Sequence, residues 1–483
     1  MEIEKTHFIL KPDPKKVLLR SFEPTTDNQL INIIARIINL SEDEVIKEIE
    51  KINKEFKSRH RNITEFFLKR FHQVSEYVDR SLKLSKVRQM LIGASFSMEY
   101  SFESSALFNP AMVWHPDQSN LPAGSKRFIM SLRATGEGHI SSIVFRAGVL
   151  DAINNVIIEE SGSFVTSPEV AVYPSYDKLS LQKNIIELDL VCDFADNVLS
   201  QLGGTFTLNE LKQLLNSTLT QSQFRNEKNK LIAHLILSLF GSEYEIFYDA
   251  DLPLSERIIF PRSFAESNGI EDARFVQFQG EDGSGQYYAT YTAYNGMRIQ
   301  SQLLETKDFL HFKIDKLSGS EAKNKGMALF PRKINGMYAM LSRQDNENNF
   351  IMFSDDLHFW NTKKLLFKPV FNWEMVQSGN CGSPIETEQG WLVLTHGVGP
   401  MRKYCIGATL LDINDPTKVI GRLKEPLLSA DENEREGYVP NVVYTCGSLI
   451  HNNTLIIPYA MSDYATNFAK VNLQDLLNEL TSD

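Results

Sequence analysis

The chain predicts a mainly β protein: a five-bladed β-propeller with an N-terminal helical extension and a helical insertion between blades one and two. Three observations predict it. Five times, a polar or proline-marked start leads through a turn into an alternating, aromatic-rich strand that ends in a polar side chain. Asp282-Gly283, Asn295-Gly296 and Asn335-Gly336 supply hairpin turns among these strands. Two other stretches carry apolar residues at helical rather than strand spacing.

Residues 1–90 read as a helical region and residues 91–483 as the propeller. The first helical stripe is Leu30, Ile33, Ile34, Ile37 and Ile38. Ser41-Glu42-Asp43-Glu44 is a capping box that opens a second helix through Val45, Ile46, Ile49 and Ile52. A third runs from Ile63 through Phe67, Phe71 and Val78. Their charged outer faces mark a packing or self-association element, so a homo-oligomer formed through these helices is expected.

From about residue 91 the period becomes strand-like. The first unit begins at Asn109-Pro110-Ala111 and reaches Arg133; the second begins at Glu271-Asp272-Ala273-Arg274 and reaches Tyr294. The third runs from Phe330-Pro331-Arg332-Lys333 to Arg343, the fourth from Gly382-Ser383-Pro384 to His396, and the last from Pro440-Asn441-Val442 to Tyr459. Starts at 271, 330, 382 and 440 stand 59, 52 and 58 residues apart, which suits four-stranded blades with sizeable loops. Residues from about 179 to 244 interrupt the units. There Thr207-Leu208-Asn209-Glu210 is a second capping box, and 224–240 is amphipathic through Leu231, Ile232, Leu235, Ile236 and Leu239.

Composition removes several function classes. A net charge of −11 and a pI near 5.5 lack the basic face of a nucleic-acid binder or a polybasic membrane anchor. The start of the chain shows no basic segment followed by an apolar one, and no run approaches the roughly 18 apolar residues of a membrane span. A cytoplasmic protein without membrane partners is expected. Cys192, Cys381, Cys405 and Cys446 are far apart, so reduced thiols are expected and no metal site.

Gly269-Ile270-Glu271-Asp272-Ala273-Arg274-Phe275 sets two carboxylates beside a guanidinium at the entry of a strand. An acid next to a fixed cation suits acid/base chemistry, and equally a structural ion pair. In a propeller, equivalent strand ends meet around the central channel. Arg133, Arg274, Lys333, Arg343 and His396 are therefore expected to form a basic ring around Asp272.

The five starts, the Glu271–Arg274 turn, Phe330-Pro331-Arg332-Lys333-Ile334-Asn335-Gly336, Thr395-His396-Gly397-Val398 and Glu434-Arg435-Glu436-Gly437-Tyr438-Val439-Pro440-Asn441-Val442 together resemble glycoside hydrolase family 130. The similarity covers about residues 105 to 470 outside the helical insertion. The family holds inverting β-mannoside phosphorylases and β-1,2-mannosidases, and the resemblance implies a five-bladed propeller with its site at the centre. It also implies roles: Asp272 as the acid that protonates the glycosidic oxygen, in the phosphorylases through the sugar's own 3-hydroxyl as a relay. Asn109, Arg133 and Asp463 match positions that hold the mannosyl unit, and Lys333 and His396 match phosphate-binding positions. Arg343 and Arg298 are expected to add to the phosphate site, and Glu271 and Arg274 to stand beside the substrate. Ala273 replaces a proline common in the family, and Thr395 a tyrosine.

The nucleophile separates two outcomes. Phosphate needs only cations to bind and orient it, whereas water needs a carboxylate base with the two carboxyls roughly 6.5–9.5 Å apart. Retention of Lys333, Arg343 and His396 favours phosphorolysis of a β-mannoside to α-mannose 1-phosphate, with inorganic phosphate as co-substrate and no cofactor. Glu271, Glu386 and Glu436 are candidate bases for the alternative, a β-mannosidase. A non-catalytic glycan-binding propeller is the third expectation.

Overall fold

The computed structural model describes residues 1–79, 81–172, 175–187, 190–238 and 243–482. Leu239 and Phe240 of the expected amphipathic stretch lie outside them. Strands dominate, and among the described residues five antiparallel sheets of four to six strands follow one another along the chain, beside two two-stranded ribbons.

Sheet one is built on Ala106–Trp114, Lys126–Thr135 and Ser141–Leu150. Sheet two begins with Ile270–Gln279, Gly285–Tyr294, Ile299–Thr306 and His311–Lys316, in that order from one edge. Sheet three runs Ala328–Leu329, Tyr338–Ser342, Asn349–Ser354 and Lys364–Phe367, and sheet four Gln377–Asn380, Gly390–Val398, Tyr404–Leu411 and Val419–Arg422. Sheet five orders Val443–Tyr444, Thr454–Met461 and Ala465–Asn472 before Ile3–Lys5. The N-terminal strand is thus part of the last sheet, a long-range pairing that separates it from the helices it precedes.

Each sheet shares a core with the next. Phe145 and Ile143 of the first pack with Phe275, Ala289 and Phe312 of the second; Val276 and Leu303 meet Met340 and Met352; Ala339 and Ile351 meet Trp391 and Val393. Leu392 and Ile406 of the fourth pack with Leu455 and Ile457 of the fifth. Ile456 and Phe468 of the fifth return to Met112 and Phe128 of the first. Backbone bonds follow the same path: Gln279 N donates to Pro331 O at 2.8 Å, Ser378 N to Glu347 O at 3.1 Å, Tyr404 N to Asn441 O at 3.0 Å and Cys446 N to Pro110 O at 2.7 Å. Trp391 and Tyr291, whose rings could have faced a ligand, are fully buried in these cores.

A buried glutamate recurs just ahead of the first strand of three sheets, in short helical turns at Glu266, Glu374 and Glu434. Glu266 accepts from Tyr244 and Tyr291, Glu374 from Arg422, and Glu434 from Tyr459. These carboxylates are fully paired inside the sheets and serve packing.

Helices Asp27–Ile38, Glu42–Phe56, Ile63–Val74 and Lys86–Ser95 share one apolar cluster. The last was not apparent from the periodicity. The expected capping box at Ser41 and Glu44 is formed. A second group, Lys178–Glu187, Asp193–Gln201, Leu208–Thr220 and Glu227–Ser238, has its own core, in which Ile232, Leu235 and Ile236 are buried while Leu231 is exposed. This group connects Glu169–Val172 to Tyr244–Phe247, which pair with each other and extend the outer edge of sheet two. The helical insertion therefore grows from within the second sheet, which sequence order alone could not show. No described helix is long and apolar enough to cross a membrane.

Candidate active site

The local backbone explains why Asp272 points where it does. In sheet two the pairing slips between Glu271 and Arg274, leaving Asp272 in a bulge with φ of +53°. Sheet one slips in the same way between Phe108 and Ala111, with Asn109 at φ of +48°. Asp and Asn tolerate this left-handed conformation better than most residues, and a bulge re-aims a side chain out of the alternating pattern. The two equivalent bulges face each other: Asn109 Nδ2 donates to Asp272 Oδ1 at 2.7 Å. The bulge at Asp272 forms with Ala273 where its counterpart in sheet one has Pro110, so proline is not required for it.

Arg133 closes the cluster. Its Nη2 donates to Glu271 Oε1 at 3.0 Å, its Nη1 lies 3.4 Å from Asp272 Oδ1, and its guanidinium carbon sits 5.1 Å from the centre of the Phe108 ring. Arg274 reaches back to the Asp272 carbonyl at 3.0 Å and donates to Tyr444 Oη at 2.8 Å. Asp463 enters from sheet five on a strained turn, with φ of +48° at Ser462 and +49° at Asp463. Ser462 Oγ holds that turn by donating to Glu434 O at 2.5 Å.

The two aspartates are driven apart electrostatically. Burial pushes the Asp272 carboxyl up, but Arg133, Arg274, the Asn109 amide and Lys325 outweigh it and hold it below the usual carboxylate range. Burial pushes Asp463 up to about 7; Arg133 opposes this, while Asp272 and Glu271 reinforce it. The two carboxyls therefore titrate apart: Asp272 is held ionised, while Asp463 changes its charge near neutral pH.

Arg343 and His396 meet on the sheet three and four side. Arg343 Nη1 is 3.2 Å from His396 Nε2, and both side chains are buried. Burial, then the Arg343 and Arg274 charges, drive the imidazole well below its ordinary pKa, so it is neutral. Among the described residues Arg343 forms no ion pair with a carboxylate, and its Nε has no hydrogen-bond partner. Gly379 makes the meeting possible: a Cβ there would collide with His396 Cε1 and lie 2.8 Å from Arg343 Cδ.

Lys333 does not join this ring. It follows the short innermost strand Ala328–Leu329, and its Nζ lies 4.8 Å from the centre of the Tyr338 ring. The Pro331 carbonyl, two residues before Lys333, accepts from Gln279 N–H, seven residues along the strand from Asp272, or roughly 23 Å at the usual rise per residue. Lys333 is therefore at the opposite end of the sheets. Arg332 beside it pairs with Glu386 at 2.6 Å, which removes Glu386 as a candidate base.

Lys325 takes the expected place instead. It precedes the innermost strand of sheet three, as Asp272 opens that of sheet two, and its Nζ is 3.8 Å from Glu271 Oε2. Asn324, at φ of +65°, anchors the turn by donating to the Arg343 carbonyl at 3.3 Å. Asn324-Lys325-Gly326 ahead of the apolar pair Ala328-Leu329 was the available signal. The third unit begins there rather than at Phe330. Arg298 sits in an exposed turn at the Asp272 end, with its backbone N–H bonded to Asn295 Oδ1 at 2.8 Å. No described hydrogen bond or ion pair ties its side chain to the site. Glu436 is exposed.

Among the described residues one group, Glu305, Asp315 and His358, lies close enough together to be a possible set of metal ligands. Tertiary contact assembles it from two sheets. The Lys313 ammonium pairs with both carboxylates, and His358 Nε2 lies 3.4 Å from Glu305 Oε1.

Together these features define a site with a hydrogen-bonding carboxylate half and a cationic half, the arrangement suited to a polyhydroxylated substrate and an anion. A family profile described as β-1,4-mannooligosaccharide phosphorylase matches residues 223–482, and the chain belongs to glycoside hydrolase family 130. It is 38% identical over 217 residues to a 1,2-β-oligomannan phosphorylase of Thermoanaerobacter sp. (strain X514), covering 44% of this chain and 71% of that protein. It is 32% identical over 231 residues to a β-1,2-mannobiose phosphorylase of Listeria innocua, covering 46% of this chain and 63% of that protein. The solved structure of a Listeria innocua β-1,2-mannobiose phosphorylase with β-1,2-mannobiose aligns with a TM-score of 0.47 at 24% identity, over 78% of this chain and 92% of that one.

Proposed function

We propose that the protein is an inverting β-mannoside phosphorylase whose five sheets are the blades of a propeller around the site. Asn109, Arg133 and Asp463 hold the mannosyl unit and Asp272 protonates the leaving oxygen. Phosphate binds at Arg343, His396, Arg274 and Lys325, with Arg298 at the mouth. Names carried by relatives that match 71% and 63% of their own lengths support the substrate class.

The observation that carries the reading is the buried Arg343, which pairs with no carboxylate among the described residues, beside a neutral histidine. A water-using enzyme needs a second carboxylate on the far face of the sugar as base. Here Glu271, Asp272 and Asp463 gather around Arg133, whereas among the described residues Arg343 has the His396 ring and the Gln377 amide beside it and no carboxylate ion pair. Arginine can grip an oxyanion with paired N–H groups, and phosphate is already charged and needs no base.

Phosphate arrival also answers the low pKa of Asp272. A dianion near Arg274 and Arg343 offsets the positive field that keeps this carboxyl ionised, so its pKa rises in the ternary complex. The acid can then carry the proton that it delivers, as general acid catalysis requires. The test is incubation of β-1,2- and β-1,4-linked mannobiose with and without inorganic phosphate, read by 31P NMR. Phosphate-dependent α-mannose 1-phosphate is expected; equal cleavage without phosphate, giving free mannose, would replace this reading by the hydrolase.

A further inference from the structure

A pair of exposed aromatic side chains joins two loops at the Asp272 end of the sheets. Tyr438 Oη lies 2.6 Å from His139 Nδ1, and the rings are 5.7 Å apart at 43° to each other. The residues are 299 positions apart, His139 in a loop of sheet one and Tyr438 in the loop that enters sheet five.

Both loops leave from site elements. His139 follows the strand Lys126–Thr135 that carries Arg133, and Tyr100 Oη fixes its loop by donating to Glu137 O at 2.8 Å. Val439, next to Tyr438, donates its N–H to Ser462 O at 3.0 Å, on the turn that presents Asp463. Gly437 packs against the same turn, where a Cβ would press on Ser462 O. Tyr438 is thus held next to the sugar-binding aspartate, yet it remains 47% exposed. His139 is exposed and holds a left-handed backbone with φ of +60°, a conformation that costs free energy and persists where surroundings enforce it.

Burial does not explain this pair, since neither ring is in a core. Its chemistry suits a sugar. Tyrosine and histidine offer an apolar face to ring C–H groups and a polar edge to hydroxyls, with few rotatable bonds to immobilise. With Nδ1 engaged by Tyr438, His139 keeps Nε2 for a hydroxyl.

We infer that His139 and Tyr438 form a rim subsite for acceptor sugars beyond the first, setting a preference for oligosaccharides over disaccharides. This rests on the mannoside reading. The mannosyl unit being cleaved lies inward on Arg133 and Asp463, so the remaining chain leaves past the rim.

The test compares Tyr438→Ala, Tyr438→Phe and wild type on β-1,2-linked mannobiose and mannotetraose. The ratio of kcat/KM for tetraose over biose is expected to fall about tenfold in Tyr438→Ala, through KM, a typical scale for a lost aromatic contact. In Tyr438→Phe, which keeps the ring, the ratio is expected to hold within about twofold. An unchanged ratio in Tyr438→Ala, or an equal collapse in Tyr438→Phe, overturns the inference. If the wild type cleaves both sugars without phosphate, the phosphorylase reading fails while the same ratio still tests the rim. If it cleaves neither, calorimetric affinity of the three proteins for mannotetraose against mannobiose decides it by the same criterion.

Discussion

Arg133, half-buried, and Arg343, buried, are guanidiniums near the same site, yet they sit in opposite electrostatic surroundings. Arg133 faces Glu271 at 3.0 Å and Asp272 at 3.4 Å. Arg343 faces a histidine that its own charge, together with burial, keeps neutral. A balanced half can take up a neutral sugar without leaving a charge behind. An unbalanced half leaves a buried cation short of an anion, a costly state that phosphate relieves. The difference teaches that the phosphate site is defined by missing carboxylates as much as by the cations present.

The comparison breaks most visibly at the acid. Asp272→Asn keeps the shape and the Asn109 neighbour but removes the transferable proton, and kcat is expected to fall about 10³-fold, measured by mannose 1-phosphate release. On the other half, Arg343→Ala should lower kcat/KM for phosphate by about 10²-fold, the scale of a lost charged hydrogen-bond pair. Arg343→Lys should recover part of that, since a point charge replaces a fork. If phosphate saturation were unchanged in Arg343→Ala, the assignment of the two halves would be wrong. Lys325 is more exposed, so Lys325→Ala should raise the KM for phosphate only about three- to tenfold, with a difference that shrinks in high salt.

Asp463 sharpens the same contrast through pH. Its carboxyl is held at about 7 in the fold, against about 3.9 in an unfolded chain. Between those values the folded state binds more protons, so this group's contribution to stability is full at low pH and is lost as pH rises through about 7. Asp463→Asn should therefore raise Tm at pH 8 and leave it nearly unchanged at pH 4, by calorimetry. Lys333→Ala is the smallest expected effect. At the far end of the sheets it should leave the KM for phosphate within about twofold of wild type, and a larger rise would restore Lys333 to the site.

Much of the site was legible because its residues sit at strand ends marked by local chemistry. Glu271-Asp272-Ala273-Arg274 is a polar break before an apolar strand, and Asn109-Pro110 marks its counterpart in sheet one. Lys333 was misplaced because its motif follows an innermost strand of only two assigned residues, Ala328–Leu329. Strand polarity then puts it at the wrong end, and Lys325 on the near side was passed over. The recurring buried glutamates at 266, 374 and 434 were also passed over, because a carboxylate in a polar turn looks solvent-exposed until its tyrosine or arginine partner is known.

By itself, the sequence determined the strand-rich units, the helical stretches with their capping boxes, and the residue types able to handle a proton and an anion. Those are local properties, written in periodicity and turn chemistry over a few neighbouring residues. Tertiary structure alone decided that Ile3–Lys5 belongs to the last sheet, that the insertion springs from an outer hairpin of sheet two, and that His139 touches Tyr438. It also divided the charges, pairing Arg133 with carboxylates and leaving Arg343, among the described residues, without one. Coulomb interactions act through space over a few ångströms, and residues tens to hundreds of positions apart acquire their pKa only when the sheets bring them together.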